Sequence, residues 1–164
     1  AQMALGAALA VVLIEARGFK PEDFARSHPG GSLGRKLLTH LTDVMRSGEA
    51  VPRVAPEAPF GDVMREMSAK GLGATAVVAA DGTVLGVFTD GDLRRKIEAG
   101  VELRSTTARE LMTPSPQTIR EDVLAAEAVA LMEARRINTL LVVDAAGVLV
   151  GAVSTNDLMR AKVI

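Results

Sequence analysis

Residues Gly86-Val87-Phe88-Thr89-Asp90-Gly91-Asp92-Leu93 return as Gly151-Ala152-Val153-Ser154-Thr155-Asn156-Asp157-Leu158, 65 positions further on. What precedes each copy repeats as well. A duplication of this kind predicts two similar units packed on each other, with paired clefts between them. Its local grammar is the same in both copies. Phe60, Val63, Met64 and Met67 fall on one face of a helix that Gly71 and Gly73 end. Ala74 to Ala79 reads as a short apolar strand, Asp81-Gly82 as a hairpin turn, and Thr83 to Thr89 as the return strand. Leu93 and Ile97 begin a second helix that Gly100 stops. In the second copy the helical positions are Ala125, Ala128, Val129 and Met132. The strands are Thr139 to Val143 and Val148 to Ser154, with a turn at Ala145-Ala146-Gly147, and Leu158 opens the last helix.

Each copy also has a lead-in, Asp43-Val44-Met45-Arg46 in one and Glu110-Leu111-Met112-Thr113 in the other. Proline-bearing extended stretches follow at Val51 to Pro59 and Pro114 to Ile119. The lead-ins are offset by 67 positions, so the first copy carries two extra residues there. The plan is extended segment, helix, strand, strand, helix, used twice: an α/β (α+β) fold of two small sheets, each with two helices. One unit of about 55 residues is marginal alone, and two joined through their apolar sheet faces bury enough to be stable.

Composition removes several classes of function. The net charge is −1, with 24% charged residues of both signs interspersed, so the basic footprint of a nucleic-acid partner is missing. There is no Trp or Tyr and only four Phe, which leaves no aromatic platform for bases. Cysteine is absent, which excludes disulfides and thiolate metal sites and fits a reducing compartment. The two histidines, His28 and His40, have no carboxylate cluster beside them, so no metal site is expected.

The first 40 residues do not belong to the repeat. Residues 3 to 14 are apolar almost without a break, too short a run for a membrane span, which takes about 20 residues, and without the flanks of a secretory signal. A helix apolar all round is buried all round, and Gly18 would end it. It reads either as the tail of a larger domain or as a helix packed on the repeats. Pro21-Glu22-Asp23-Phe24 looks like a helix start. The run Ser27-His28-Pro29-Gly30-Gly31-Ser32-Leu33-Gly34-Arg35-Lys36 meets neither the phosphate-loop nor the dinucleotide fingerprint. It reads as a tight glycine-rich turn carrying one histidine, and such a histidine is more often structural than catalytic.

In both repeats a strand ends in Gly, two apolar residues and Thr or Ser, then two residues, then Asp-Leu. This pattern, present twice, is similar to the CBS domain pair, or Bateman module, with copies at residues 43–100 and 108–164. The resemblance implies that Thr89 and Asp92 in one copy, Ser154 and Asp157 in the other, line clefts for adenosine-type ligands. Elementary chemistry supports the same positions. A hydroxyl at a strand end lies beside the unpaired N–H groups of the next helix, which attract an anion. A carboxylate in the first turn can accept from ribose hydroxyls, but it repels phosphate, so a cation is needed. Arg94 and Arg95 are candidates in the first copy, Arg160 in the second. The same Thr, Ser and Asp also suit ordinary helix caps, each worth about 1 kcal/mol. The arginines also suit a solvated helix face. Thr75 and Thr139 start equivalent strands and either face the clefts or simply favour the sheet.

The stretch from Leu13 through Arg35 resembles the end of the sugar isomerase (SIS) domain of D-arabinose 5-phosphate isomerases, in which a CBS pair follows directly. The resemblance implies that residues 1–40 are the tail of a SIS domain, cut from an enzyme that interconverts ribulose 5-phosphate and arabinose 5-phosphate for Kdo and lipopolysaccharide synthesis. It implies a catalytic part for His28 in the intact enzyme only, and no isomerase activity for this chain alone. An unchanged turnover on replacing His28 by Ala in the intact enzyme would remove that part. The expected role is sensing of a nucleotide or nucleotide sugar, CMP-Kdo or an adenine nucleotide, with no cofactor required. The alternative is a ligand-free assembly module. Exposed Leu93 and Ile97 point to a homodimer through the pair, within a tetramer of the intact enzyme, in the cytoplasm and with neither membrane nor nucleic-acid partners.

Overall fold

The computed structural model describes residues 31–164. The elements run α1 (Ser32–Leu38), α2 (Leu41–Val44), a 3-10 turn at Gly48–Ala50, β1 (Arg53–Val54), α3 (Phe60–Lys70), β2 (Ala74–Val78), β3 (Val84–Thr89) and α4 (Asp90–Glu98). They continue with α5 (Ala108–Leu111), β4 (Thr113–Pro114), β5 (Thr118–Arg120), α6 (Ala125–Arg135), β6 (Thr139–Val143), β7 (Leu149–Ser154) and α7 (Thr155–Arg160). The duplicated plan is present, including its irregularities. Register breaks at Val77/Val78 in one hairpin and at the equivalent Val142/Val143 in the other. Gly82 and Gly147 take the same left-handed conformation at the two hairpin tips, with φ of 87° and 82°. There the Thr83 N–H meets the Asp81 carboxylate at 3.0 Å, and this backbone bond, reinforced by the Thr83 side chain, holds the Asp81 pKa below its ordinary value.

The sheets are β1-β2-β3-β4 and β5-β6-β7. Their facing sides share one apolar layer in which Val51, Leu72 and Ala76 meet Leu141, Leu149 and Ala152. The hairpin tips also bond across the pair: Leu149 N–H donates to Gly82 O at 3.0 Å and Val84 N–H to Gly147 O at 3.3 Å. On the outer faces, Val63 and Met67 of α3 pack on Val77 and Phe88, while Ala125, Ala128 and Met132 of α6 pack on Leu140, Val142 and Val153.

The lead-ins depart from a simple repeat, because each docks on the other copy. Leu41 of α2 is buried in the core of the second copy, and Ala108 and Leu111 of α5 are buried in the core of the first. Strand β4 pairs with β3, placing Thr113 opposite Val87. In mirror fashion Arg46 exchanges both backbone hydrogen bonds with Ala152, at 2.8 and 3.1 Å. The repeated glycine of each return strand makes this possible. A Cβ on Gly86 would lie within 2.8 Å of Met112 side-chain atoms, and one on Gly151 would lie 2.6 Å from Met45 Sδ and 2.8 Å from the Arg46 carbonyl.

Two expectations change. The glycine-rich run is not all turn, since Ser32–Leu38 is helical. Leu93 is not an exposed apolar residue but packs against the Val63–Phe88 core, whereas Ile97 keeps 60% of its exposure. The early apolar run and His28 lie outside the described residues. Among the described residues no helix is long and apolar enough to cross a membrane.

Candidate functional site

At the end of β3 the chain turns directly into α4. Thr89 is the residue before the helix: its Oγ1 accepts from Asp92 N–H at 3.1 Å, and Asp92 Oδ2 accepts from Thr89 N–H at 3.0 Å. Two orphan donors are thereby satisfied reciprocally. The Asp90 N–H donates to Gly73 O at 3.0 Å, which fixes the helix start against the beginning of β2. Arg95 reaches back to Asp92 Oδ1 at 2.5 Å. The reciprocal cap, the anchor and the arginine recur in the second copy. Ser154 and Asp157 form the cap at 3.2 and 2.9 Å, Thr155 N–H donates to Asn138 O at 2.9 Å, and Arg160 reaches Asp157 at 2.5 Å. So all six candidate residues are brought together, in two matching trios. Each aspartate is first a helix cap, and each arginine neutralises its own aspartate instead of standing free for a phosphate.

The two trios differ in what lies over them. Thr89 and Asp92 open onto a cavity of about 700 Å³. Its apolar walls are Leu72, Val87, Ile137 and Leu141, and its polar lining includes Arg94, Thr113, Arg136 and Thr139. A smaller hollow of about 290 Å³ shares Asp92, Arg95 and Thr113 with it. Neither Arg94 nor Arg136 has a side-chain hydrogen bond or ion pair among the described residues. Arg136 sits at the left-handed cap of α6, φ 55°, where the first copy has Gly71 at φ 64°. A non-glycine residue in that conformation costs of order 1 kcal/mol. Here it sets a guanidinium on the wall of the cavity.

Over Ser154 and Asp157 lies Arg46. Its Nε lies 3.2 and 3.3 Å from the two Asp157 oxygens, and its Nη1 donates to the Lys70 carbonyl at 2.6 Å. That carbonyl belongs to the last turn of α3, where carbonyls lack helical partners and the dipole favours a cation. Asp157 retains only 7% of its side-chain exposure, against 15% for Asp92. Burial alone would raise the Asp157 pKa; the Ser154 backbone N–H, Arg46 and the Ser154 hydroxyl outweigh it and hold the carboxyl below its ordinary value.

Of the paired threonines, Thr139 lines the open cavity, whereas Thr75 is fully buried with its hydroxyl 3.5 Å from the Val63 carbonyl. Sequence reasoning missed Arg136, Thr113 and Arg46. The signal for the last two lay in the aligned lead-ins, where Arg46 stands opposite Thr113.

A family model described as CBS domain matches residues 41–99 and 108–164. The chain belongs to the CBS-domain family. Among curated proteins, this CBS pair and the residues before it are 48% identical over 162 residues to the arabinose 5-phosphate isomerase KdsD of Pseudomonas aeruginosa, covering 99% of this chain and 50% of that protein. The KdsD of Escherichia coli K12 is 43% identical over 164 residues, covering 100% and 50%. The chain thus spans about half the length of these relatives. Among solved structures, CBSX2 in complex with AMP superposes with a TM-score of 0.64 at 26% identity, covering 75% of this chain and 95% of that one. The CBS domain pair of protein MJ0100 shares the fold, with a TM-score of 0.66 at 20% identity over 74% and 94%.

Proposed function

We propose that this CBS pair is the nucleotide-sensing regulatory module of an arabinose 5-phosphate isomerase, and that it senses through the first cleft alone. The carrying observation is the cavity of about 700 Å³ beside Thr89 and Asp92, with two guanidiniums on its lining that have no ion pair among the described residues. A nucleoside phosphate suits that lining: apolar walls for the base, the Asp92 carboxylate for ribose hydroxyls, and Arg94 and Arg136 for the anionic end. The likeness to CBSX2, whose structure holds AMP, supports an adenine nucleotide. The likeness to KdsD supports the isomerase context, and feedback by an end product makes CMP-Kdo the second candidate. On this reading residues 1–40 are the tail of a SIS domain and the intact enzyme supplies a cytoplasmic step of Kdo and lipopolysaccharide synthesis. His28 acts there in catalysis, and no cofactor is required.

Titration calorimetry and melting with AMP, ATP and CMP-Kdo test the reading. A true ligand at 100 times its Kd adds about 2.7 kcal/mol of stability. Asp92→Ala is expected to weaken binding at least tenfold and Asp157→Ala much less. No binding by any of the three would leave assembly as the function. One observation favours that second reading: Ile97, Val101 and Met159 keep 60%, 43% and 49% of their exposure. Such residues suit a homodimer contact, within a tetramer of the intact enzyme.

A further inference from the structure

The lead-in exchange puts one residue over each cap, and that residue differs. Thr113 lies opposite Val87 on β3, and Arg46 lies opposite Ala152, the matching position on β7. Thr113 is exposed and borders both hollows beside Asp92. Arg46 instead fills the equivalent place, bonded to Asp157 and to the end of α3. We propose that this lead-in residue decides whether a cleft accepts a ligand: Thr113 leaves the first open, and the Arg46 guanidinium occupies the second as a ligand built into the chain.

Three features support this. Arg46 bonds both copies, through Asp157 of the second and Lys70 of the first, as a molecule lodged between them would. The acceptors it uses have counterparts in the first cleft, Asp92 and the Arg135 carbonyl, so an arginine at 113 would find the same partners. Asp157 holds Arg46 and Arg160 together, so Arg95 on Asp92 does not block a second guanidinium. The surroundings match the division of labour. Where the first cleft has Arg94 and Arg136, the second has Met159 and Gly71. A second cleft emptied of Arg46 therefore offers a carboxylate without counterparts of Arg94 and Arg136, which suits an uncharged nucleoside better than a phosphate.

The inference rests on the nucleotide-sensing reading, and the two fail separately. Thr113→Arg is an exposed substitution and should leave the fold intact. It is expected to weaken AMP binding at least tenfold by calorimetry; wild-type affinity would overturn the proposal. Arg46→Thr supplies the converse. Equilibrium dialysis at saturating adenosine should find one more molecule per folded chain than in wild type, and an equal number overturns the proposal. Should Arg46→Thr not fold, the Thr113→Arg result decides. Two AMP molecules on the wild-type chain would overturn this inference and leave sensing standing. No AMP on wild type but a gained adenosine site in Arg46→Thr would do the reverse. Neither change appearing on a chain that binds AMP would overturn this inference alone; no AMP on wild type and no gained adenosine site would overturn both.

Discussion

The two cleft regions share a cap, an anchoring backbone bond and a back-reaching arginine, yet one is open and the other is filled. In the first, Asp92 faces a cavity of about 700 Å³ and meets one arginine. In the second, Asp157 is almost fully covered and meets two. The difference in cover does not lie in the caps themselves. It lies in a single residue that each lead-in delivers to the opposite copy. Duplication therefore gives both sites the same cap, while the lead-in residue sets how far each aspartate is covered.

The largest effect is expected where that delivery is tightest. Gly151→Ala would press on the Arg46 carbonyl as well as Met45, and overpacking against backbone costs about 3 kcal/mol. Gly86→Ala meets Met112 Sδ, Cγ and Cβ; a new rotamer moves the first two but not Cβ, which rides on the backbone, so a cost of about 2 kcal/mol is expected. Urea denaturation of both variants measures the contrast; equal changes below about 0.5 kcal/mol would show that the lead-ins do not dock as described.

Next comes the charge over the second cap. Arg46→Met leaves a buried carboxylate with Arg160 as its remaining cation, and about 2 kcal/mol should be lost, less than for a pair broken outright. Thr113→Val, at the equivalent exposed position, should change stability by less than about 0.5 kcal/mol. A similar small change for both would dissolve the asymmetry.

The smallest effect is a pH dependence. The Asp157 pKa is lower folded than unfolded, so its contribution is present above the unfolded value, about 3.9, and is lost as pH falls through the folded value. The stability gap between wild type and Asp157→Asn should therefore narrow as melting is followed from pH 6 down to about 3. A gap independent of pH would mean that the carboxylate gains nothing from its partners.

Much of this was legible in the chain. The period of 65 residues gave hairpin, helix and cap positions, because these depend on local patterns: the Asp81-Gly82 turn, the apolar face of Phe60, Val63 and Met67, and the Thr89 and Ser154 caps. The exchange of lead-ins was not legible, because Leu41 and Leu111 are equally apolar whichever core they enter. Nor was the fate of the arginines. Arg95 and Arg160 follow their aspartates by three positions, which brings them together on a helix, so their pairing was readable. Arg46 meets Asp157 across 111 positions, a contact that only the fold creates.

A crystal structure of the chain soaked with AMP tests the central claim most directly. The account predicts density for nucleotide beside Thr89 and Asp92 alone, with Arg46 still seated on Asp157. Nucleotide beside Ser154 and Asp157 with Arg46 swung away, or neither cleft occupied at saturating concentration, would contradict it.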